Sequence, residues 1–432
     1  MKLRESISVR AREFYVQYEK LMNNRFSFLI FPVSMIFFYF LFLLTGRIPN
    51  PDEVNLIMYD AGWYESIARS GYIFKFQEQC NLAFFPLFPM TWRILSLNPV
   101  TVSLLNGGVI LLSLWFMMKG LQLTFDEILR FFISPSLIFC FLPFSESFFY
   151  FSATLILIGL YRKSNGLLFL GVLLAGLSRS VSVFMIPMVF FSFLPSFINQ
   201  EKRMMAFKNF LLLVFSALFS LLFVGIWQYY YTKRWFEFLT VQKYWNKSWQ
   251  MPKMPLTTWG FEELVWLDGT ALLLTLLAFI VSIYCLYRVF KNSPSTVIQP
   301  ALLFSMAYLT IIGLATLFYS NTSQNTSVLS INRYVFATPF AGYFLVGLRD
   351  LDINLKWRGI IIACLSFIIM IAFGILSPDL ESKRGMILLL MYILFYFLVI
   401  LIKEIPSLFV LPIHLFLLYS LLSMYMSGYW IG

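Results

Sequence analysis

Histidine is nearly absent from this chain of 432 residues: one stands at position 414, beside four cysteines, Cys80, Cys140, Cys285 and Cys364. With one imidazole no multi-histidine metal site can form, and a Ser-His-Asp triad would have to use His414 itself. The cysteines lack metal-ligand spacing and the last three lie in apolar runs, so neither a zinc centre nor a disulfide framework is expected. Charge is scarce too, with Asp, Glu, Lys and Arg making up 12% of the chain. The first 25 residues are polar and charged, so no cleavable signal peptide is expected there. No internal repeat is visible, which removes the paired-repeat signature of many secondary transporters.

Apolar residues fill the space, at 60% of the chain with a mean hydropathy of +0.79. A surface of that composition must face lipid. Apolar stretches of roughly 17–25 residues recur, the length a helix needs to cross a hydrocarbon core of ~30 Å. Such stretches must be helical, because lipid offers backbone N–H and C=O groups no other partner. The expected fold is an all-α polytopic membrane protein, one domain over 1–432 with about 13 transmembrane helices. The expected spans are 26–45, 100–121, 129–144, 146–162, 166–178, 181–196, 209–230, 270–290, 299–319, 333–348, 359–376, 385–402 and 407–428.

The net charge of +11 invites a nucleic-acid reading, but its distribution fits a membrane protein instead. With residues 1–25 placed in the cytoplasm, 19 of the 32 basic residues fall on the inner side. Nine more lie in two long external loops, 46–99 and 231–269, where the positive-inside rule has little force. Both loops are rich in aromatic residues and read as membrane-hugging elements with interfacial helices. In the first, Asp60 is placed to cap a short amphipathic helix that Gly71 would stop.

The unusual polar residues gather on the external face of this topology: Asp60 and Glu65 in the first loop, Glu146 and Arg179 at two external junctions, Gln242 and Trp245 in the second loop, and Arg333-Tyr334 at a helix end. Each has an ordinary structural reading. Asp60 can be a cap, Glu146 and Arg179 an ion pair, the tryptophans interface anchors, and Arg333 a headgroup contact. Charge deep in a span costs roughly 2.5–3.5 kcal/mol on insertion scales, which favours a partner or a role.

Several segments together resemble the PIG-V-type mannosyltransferases, which add the second mannose in GPI-anchor assembly, and their prokaryotic relatives. Asp60-Ala-Gly-Trp-Tyr-Glu-Ser-Ile-Ala-Arg-Ser-Gly-Tyr72 followed by Ala83-Phe-Phe-Pro-Leu-Phe-Pro89 is similar to that family's first external loop. Pro143-Phe-Ser-Glu-Ser-Phe-Phe149, Gly171 to Arg179, Val241-Gln-Lys-Tyr-Trp245 and Ser330-Ile-Asn-Arg-Tyr334 with Pro339-Phe340 resemble later family segments, in order. Tyr59 stands where the family usually has Trp, Ser178 replaces Thr, and Ser180-Val-Ser182 departs from the expected Pro-x-Gly.

The resemblance implies a GT-C-like glycosyltransferase that moves a mannosyl-type sugar from a polyprenyl-phosphate or dolichyl-phosphate donor to a glycolipid or glycan acceptor, with inversion. Asp60 is then the expected base. Arg179 and Arg333 are candidates for the departing phosphate, and Glu146 for orienting an arginine or binding sugar hydroxyls. Glu65, Gln242, Trp245 and Tyr334 are further substrate-binding candidates. No cofactor, metal or nucleic acid enters this scheme. A prokaryotic plasma membrane is favoured, or the endoplasmic reticulum for a eukaryotic chain. The alternatives are a GT-C enzyme with another polyprenyl-phosphate sugar and a lipid or solute transporter.

Overall fold

A computed structural model describes residues 27–131, 134–245, 247–258, 260–291, 298–321, 325–351, 354–375, 380–401 and 407–432. The basic N-terminal segment 1–25, part of the orientation argument, lies outside the described residues. The chain runs through α1 (Ile30–Leu44), the short α2 (Glu53–Leu56), α3 (Asp60–Ser70) and α4 (Leu87–Leu95), then α5 (Pro99–Leu121) and α6 (Phe125–Phe131). After a 3-10 turn at Pro135–Cys140 come α7 (Glu146–Arg162), α8 (Asn165–Ser178), α9 (Met185–Ile198) and α10 (Gln200–Thr232). The next stretch holds α11 (Glu237–Thr240), a 3-10 turn at Val241–Trp245, β1 (Lys247–Trp249), α12 (Phe261–Phe290), α13 (Pro300–Phe318) and β2 (Tyr319–Asn321). Last are α14 (Ile331–Phe336), α15 (Pro339–Asp350), α16 (Leu355–Ala372), α17 (Leu380–Leu401) and α18 (Ser407–Met426).

Among the described residues, α5, α10, α12 (from Glu263), α13 and α18 are long and apolar enough to cross a membrane. Shorter apolar helices are α1, α8, α9 and the Pro339–Leu348 part of α15. The chain is an all-α membrane protein. Local sequence explains several helix starts. Asn98 accepts a bond from the Thr101 N–H with Pro99 at the first helical position of α5, and Asn199 accepts from the Glu201 N–H ahead of α10; each cap satisfies a backbone donor left over at a helix end.

Two expected spans are not continuous helices. The stretch 129–144 divides into the end of α6 and the Pro135–Cys140 turn. The stretch 333–348 is split at Thr338, which is extended before Pro339. Proline supplies no N–H and pushes the preceding residue out of the helical region, so apolar composition alone could not keep these stretches helical. The result is irregular backbone deep in the protein, tolerated because protein rather than lipid surrounds it: Pro135 to Cys140 are all buried.

Glycines bring α7 and α8 together backbone to backbone. A Cβ added at Gly171 of α8 would lie 2.9 Å from the backbone nitrogen of Ile156 in α7, and one at Gly159 2.8 Å from that of Leu168. Small residues let membrane helices approach backbone to backbone, where packing rather than hydrophobicity drives association. Gly171→Val is therefore expected to destabilise the protein by about 1–3 kcal/mol through overpacking, read as a lower unfolding temperature in detergent, whereas the same change at Gly166, which faces open space, is expected to do far less.

The one sheet among the described residues is a ribbon in which β1 runs antiparallel to β2, with Lys247 opposite Asn321 and Trp249 opposite Tyr319. The Gln250 N–H donates to the Phe318 carbonyl at 2.8 Å and its Nε2 to Ser320 Oγ at 2.7 Å. The ribbon ties the second long loop to the connector that leads into α14.

Candidate active site

Asp60 is the first residue of α3, and it does not cap the helix. Tyr59 holds the cap position without a side-chain cap bond, and its φ of +53° is uncommon for a bulky residue. That conformation is fixed from outside: the Tyr59 hydroxyl donates to the Gly428 carbonyl at 2.5 Å, and its ring lies 4.9 Å from that of Trp430. Freed from capping, the Asp60 carboxylate accepts a bond from Arg333 Nη1 at 2.5 Å through Oδ2. Among the described residues Oδ1 has no partner. As expected, α3 ends at Gly71, whose φ is +78° and whose N–H reaches the Ile67 carbonyl. Asn81 then shapes the following loop, donating to the Gly71 carbonyl and accepting from the Ile73 N–H.

Glu146 opens α7, where the helix dipole favours a carboxylate. The segment before it is clamped by the buried Asn106 of α5. Its Nδ2 donates to the carbonyls of Leu142 and Phe144, and its Oδ1 accepts from Ser147 Oγ at 2.7 Å. Ser145 Oγ shares a hydrogen bond of 2.7 Å with the Tyr64 hydroxyl of α3. This clamp directs the Glu146 side chain to two arginines at once. Both Arg179 Nη1 and Arg333 Nε donate to Oε1, while Oε2 is buried with no partner.

Arg179 follows the last turn of α8 in extended conformation, and its guanidinium lies 4.8 Å from the centre of the Tyr334 ring. Burial works against its charge, but the neighbouring Glu146 carboxylate more than offsets this and holds the group above its ordinary pKa. Arg333 is more fully enclosed. Besides both carboxylates it meets the rings of Phe144 at 4.7 Å, Phe139 at 5.3 Å and Trp430 at 5.6 Å.

The result is a continuous ionic chain, Asp60–Arg333–Glu146–Arg179, drawn from four distant parts of the sequence. Side-chain exposure is 1% for Glu146, 3% for Arg333, 9% for Arg179 and 23% for Asp60. Asp60 is thus the most exposed member of the chain.

The remaining sequence candidates divide. The Tyr334 ring lies under the Arg179 guanidinium, 4.8 Å from its centre. Trp245 packs edge-on against Trp63 at 5.6 Å and Phe84 at 5.8 Å, with its indole nitrogen buried and unpartnered. Gln242 donates to the Phe238 carbonyl at 3.2 Å within its own loop. Glu65 is outside the ionic chain: it pairs with Arg69 at 2.7 Å and lines a separate cleft with Glu53, Trp92 and Arg93. Five residues separate it from Asp60, about 140° around the helix, so the two cannot share a face. His414 is a buried core residue bonded to the Val410 carbonyl and stacked on Phe395.

Sequence reasoning missed several contributors. Asp268 is fully buried in α12 and accepts from the Asn332 N–H at 3.1 Å, from Asn332 Nδ2 at 2.7 Å and from the Thr258 hydroxyl. Asn332 Oδ1 accepts in turn from Ser136. This network fixes the residue before Arg333. A carboxylate at the edge of an apolar run was the available signal. Asp268→Ala is expected to cost about 1–3 kcal/mol by stranding buried donors, seen as a lower melting temperature that Asp268→Asn partly restores. Trp430 gave no signal, since only the fold brings it to Arg333.

Among the described residues no three His, Cys, Asp or Glu side chains cluster as a metal site. Comparison of the chain with models of protein families, with curated proteins and with solved structures gives no match.

Proposed function

We propose that this chain is a GT-C-like, PIG-V-type glycosyltransferase with about 13 spans and interfacial helices in its two long loops, moving a mannosyl-type sugar from a polyprenyl-phosphate donor to a glycolipid or glycan acceptor. The observation that carries the reading is the ionic chain. Asp60, Glu146, Arg179 and Arg333, from four of the segments that resemble that family, form one connected and largely buried group. Such a group is costly to keep in a membrane protein without a role.

In this reading the acceptor hydroxyl bonds to Asp60 Oδ1 while Arg333 fixes Oδ2. As the hydroxyl oxygen attacks the anomeric carbon from the face opposite the phosphate, its proton passes to Asp60. The bond from the anomeric carbon to the phosphate oxygen breaks, the configuration inverts, and the polyprenyl phosphate leaves with the electron pair. Arg179 supplies positive charge to that leaving group. Arg333, committed to two carboxylates and three rings, positions Asp60 rather than binding phosphate. Glu146, enclosed between the two guanidiniums, orients both arginines.

Incubating membranes with radiolabelled polyprenyl-phosphate mannose and a panel of acceptors tests the reading. A labelled glycosidic product is expected; glucose or arabinose donors identify another sugar, which sequence cannot assign because selectivity rests on individual hydrogen bonds. Solute uptake into proteoliposomes with no glycosidic product from any donor would sink the enzyme reading.

A further inference from the structure

A cavity of about 530 Å³ lies between α9 and α10, within the roughly 300–1,000 Å³ of small-ligand pockets. Its wall is apolar. The rings of Phe190, Phe197 and Phe210 meet in one cluster, Phe190 stacked on Phe197 at 5.5 Å and Phe210 edge-on to both at 5.8 and 5.9 Å. Phe207 and Met204 also line the cavity, yet they remain 49% and 67% exposed. Arg203 joins them from α10. Its guanidinium makes no hydrogen bond or ion pair among the described residues.

This cavity sits at the membrane face opposite the ionic chain. Helix α10 is 33 residues long, about 50 Å of helix, and Arg203 is in its first turns. The far end packs on the first long loop, which carries Asp60: Gln228 Nε2 donates to the Leu82 carbonyl at 2.8 Å, and the Tyr231 ring lies 6.2 Å from that of Tyr72. Helix α9 agrees, since it starts beyond Arg179 and leads away from it to Phe197. Between 200 and 210 the cations Lys202, Arg203 and Lys208 stand against one carboxylate, Glu201. Cationic excess beside an apolar cavity at a membrane face complements a lipid with an anionic head, and a guanidinium fork matches phosphate oxygens.

We infer that this cavity binds an anionic diacyl phospholipid of the leaflet opposite the ionic chain, with an acyl chain among Phe190, Phe197, Phe207 and Phe210 and the phosphate on Arg203. A dissolved anion would leave the apolar wall unfilled, and a neutral lipid would leave the guanidinium without an anionic partner. Lipids of that leaflet reach the cavity directly, because its lining includes the exposed side chains of Met204 and Phe207. The site needs no sugar transfer and stands whether or not the proposed function holds.

Native mass spectrometry of the full chain in detergent, titrated with dioleoyl phosphatidylglycerol or dioleoyl phosphatidylcholine, tests this. Wild type is expected to bind phosphatidylglycerol more tightly by roughly fivefold, the worth of one cation near a membrane surface. Arg203→Gln is expected to abolish that preference. Lys202→Gln is expected to keep it, because that side chain leaves α10 about 100° around the helix from Arg203 and does not line the cavity. Phe207→Ala is expected to weaken both lipids severalfold by removing part of the apolar wall. Equal losses in Lys202→Gln and Arg203→Gln would reveal diffuse surface charge and overturn the site. An undiminished preference in Arg203→Gln, or unchanged affinities in Phe207→Ala, overturns it as well. Farnesyl phosphate binding more tightly than phosphatidylglycerol, and dependent on Arg203, overturns the assignment to a diacyl lipid.

Discussion

Asp60→Asn is expected to lower sugar transfer by roughly 10²–10⁴-fold, the usual contribution of a positioned proton acceptor, while leaving the fold intact. The amide oxygen still accepts from Arg333, and Glu146 still neutralises that arginine. What disappears is the ability to take a proton at the oxygen that has no protein partner. Asp60→Glu is expected to recover little, because one added methylene moves the carboxylate away from Arg333 by more than a hydrogen bond tolerates. Transfer rate and unfolding temperature measured on the same preparations separate the two effects. Full activity in Asp60→Asn would remove Asp60 from the chemistry.

Glu146→Gln is expected to have the largest effect on stability. Its carboxylate is buried and shared by two buried guanidiniums. Without that charge Arg333 retains Asp60, but Arg179 has no anionic partner among the described residues. Breaking a buried ion pair by removing one member typically costs about 3–5 kcal/mol, because the remaining charge stays desolvated. A strongly lowered melting temperature in detergent is the expected reading. Removing Arg179 as well, as Arg179→Met in the Glu146→Gln background, is expected to restore part of the loss, since the stranded charge goes with it. Unchanged unfolding in Glu146→Gln would mean that water or lipid headgroups already solvate the pair. Glu146→Asp is expected to fail as a substitute, because the shorter side chain cannot reach both arginines.

Composition and hydropathy identified the all-α membrane protein because lipid restricts what a chain can do: an apolar stretch of sufficient length has only helix available. Polar residues were legible for the related reason that charge is expensive in that setting. Asp60, Glu146, Arg179 and Arg333 stood out as exceptions, and the structure joins all four. Glu65 stood out equally and belongs elsewhere, because nearness in sequence says nothing about which face of α3 a residue occupies. Asp60 read as a cap, yet Tyr59 takes that position under the constraint of Gly428 and Trp430, contacts formed across more than 360 residues.

Residue chemistry alone establishes the solvent this chain folds in, the helices that solvent requires, and a short set of charged residues needing partners. Each follows from the transfer free energy of individual groups, a property a residue carries wherever it sits. The packed fold alone sets which partners those charges take, where the helix breaks at proline in two apolar stretches, and how a ribbon brings Lys247 opposite Asn321. Those outcomes depend on distances between segments hundreds of residues apart, and Coulomb and hydrogen-bond energies exist only once the packing has fixed those distances.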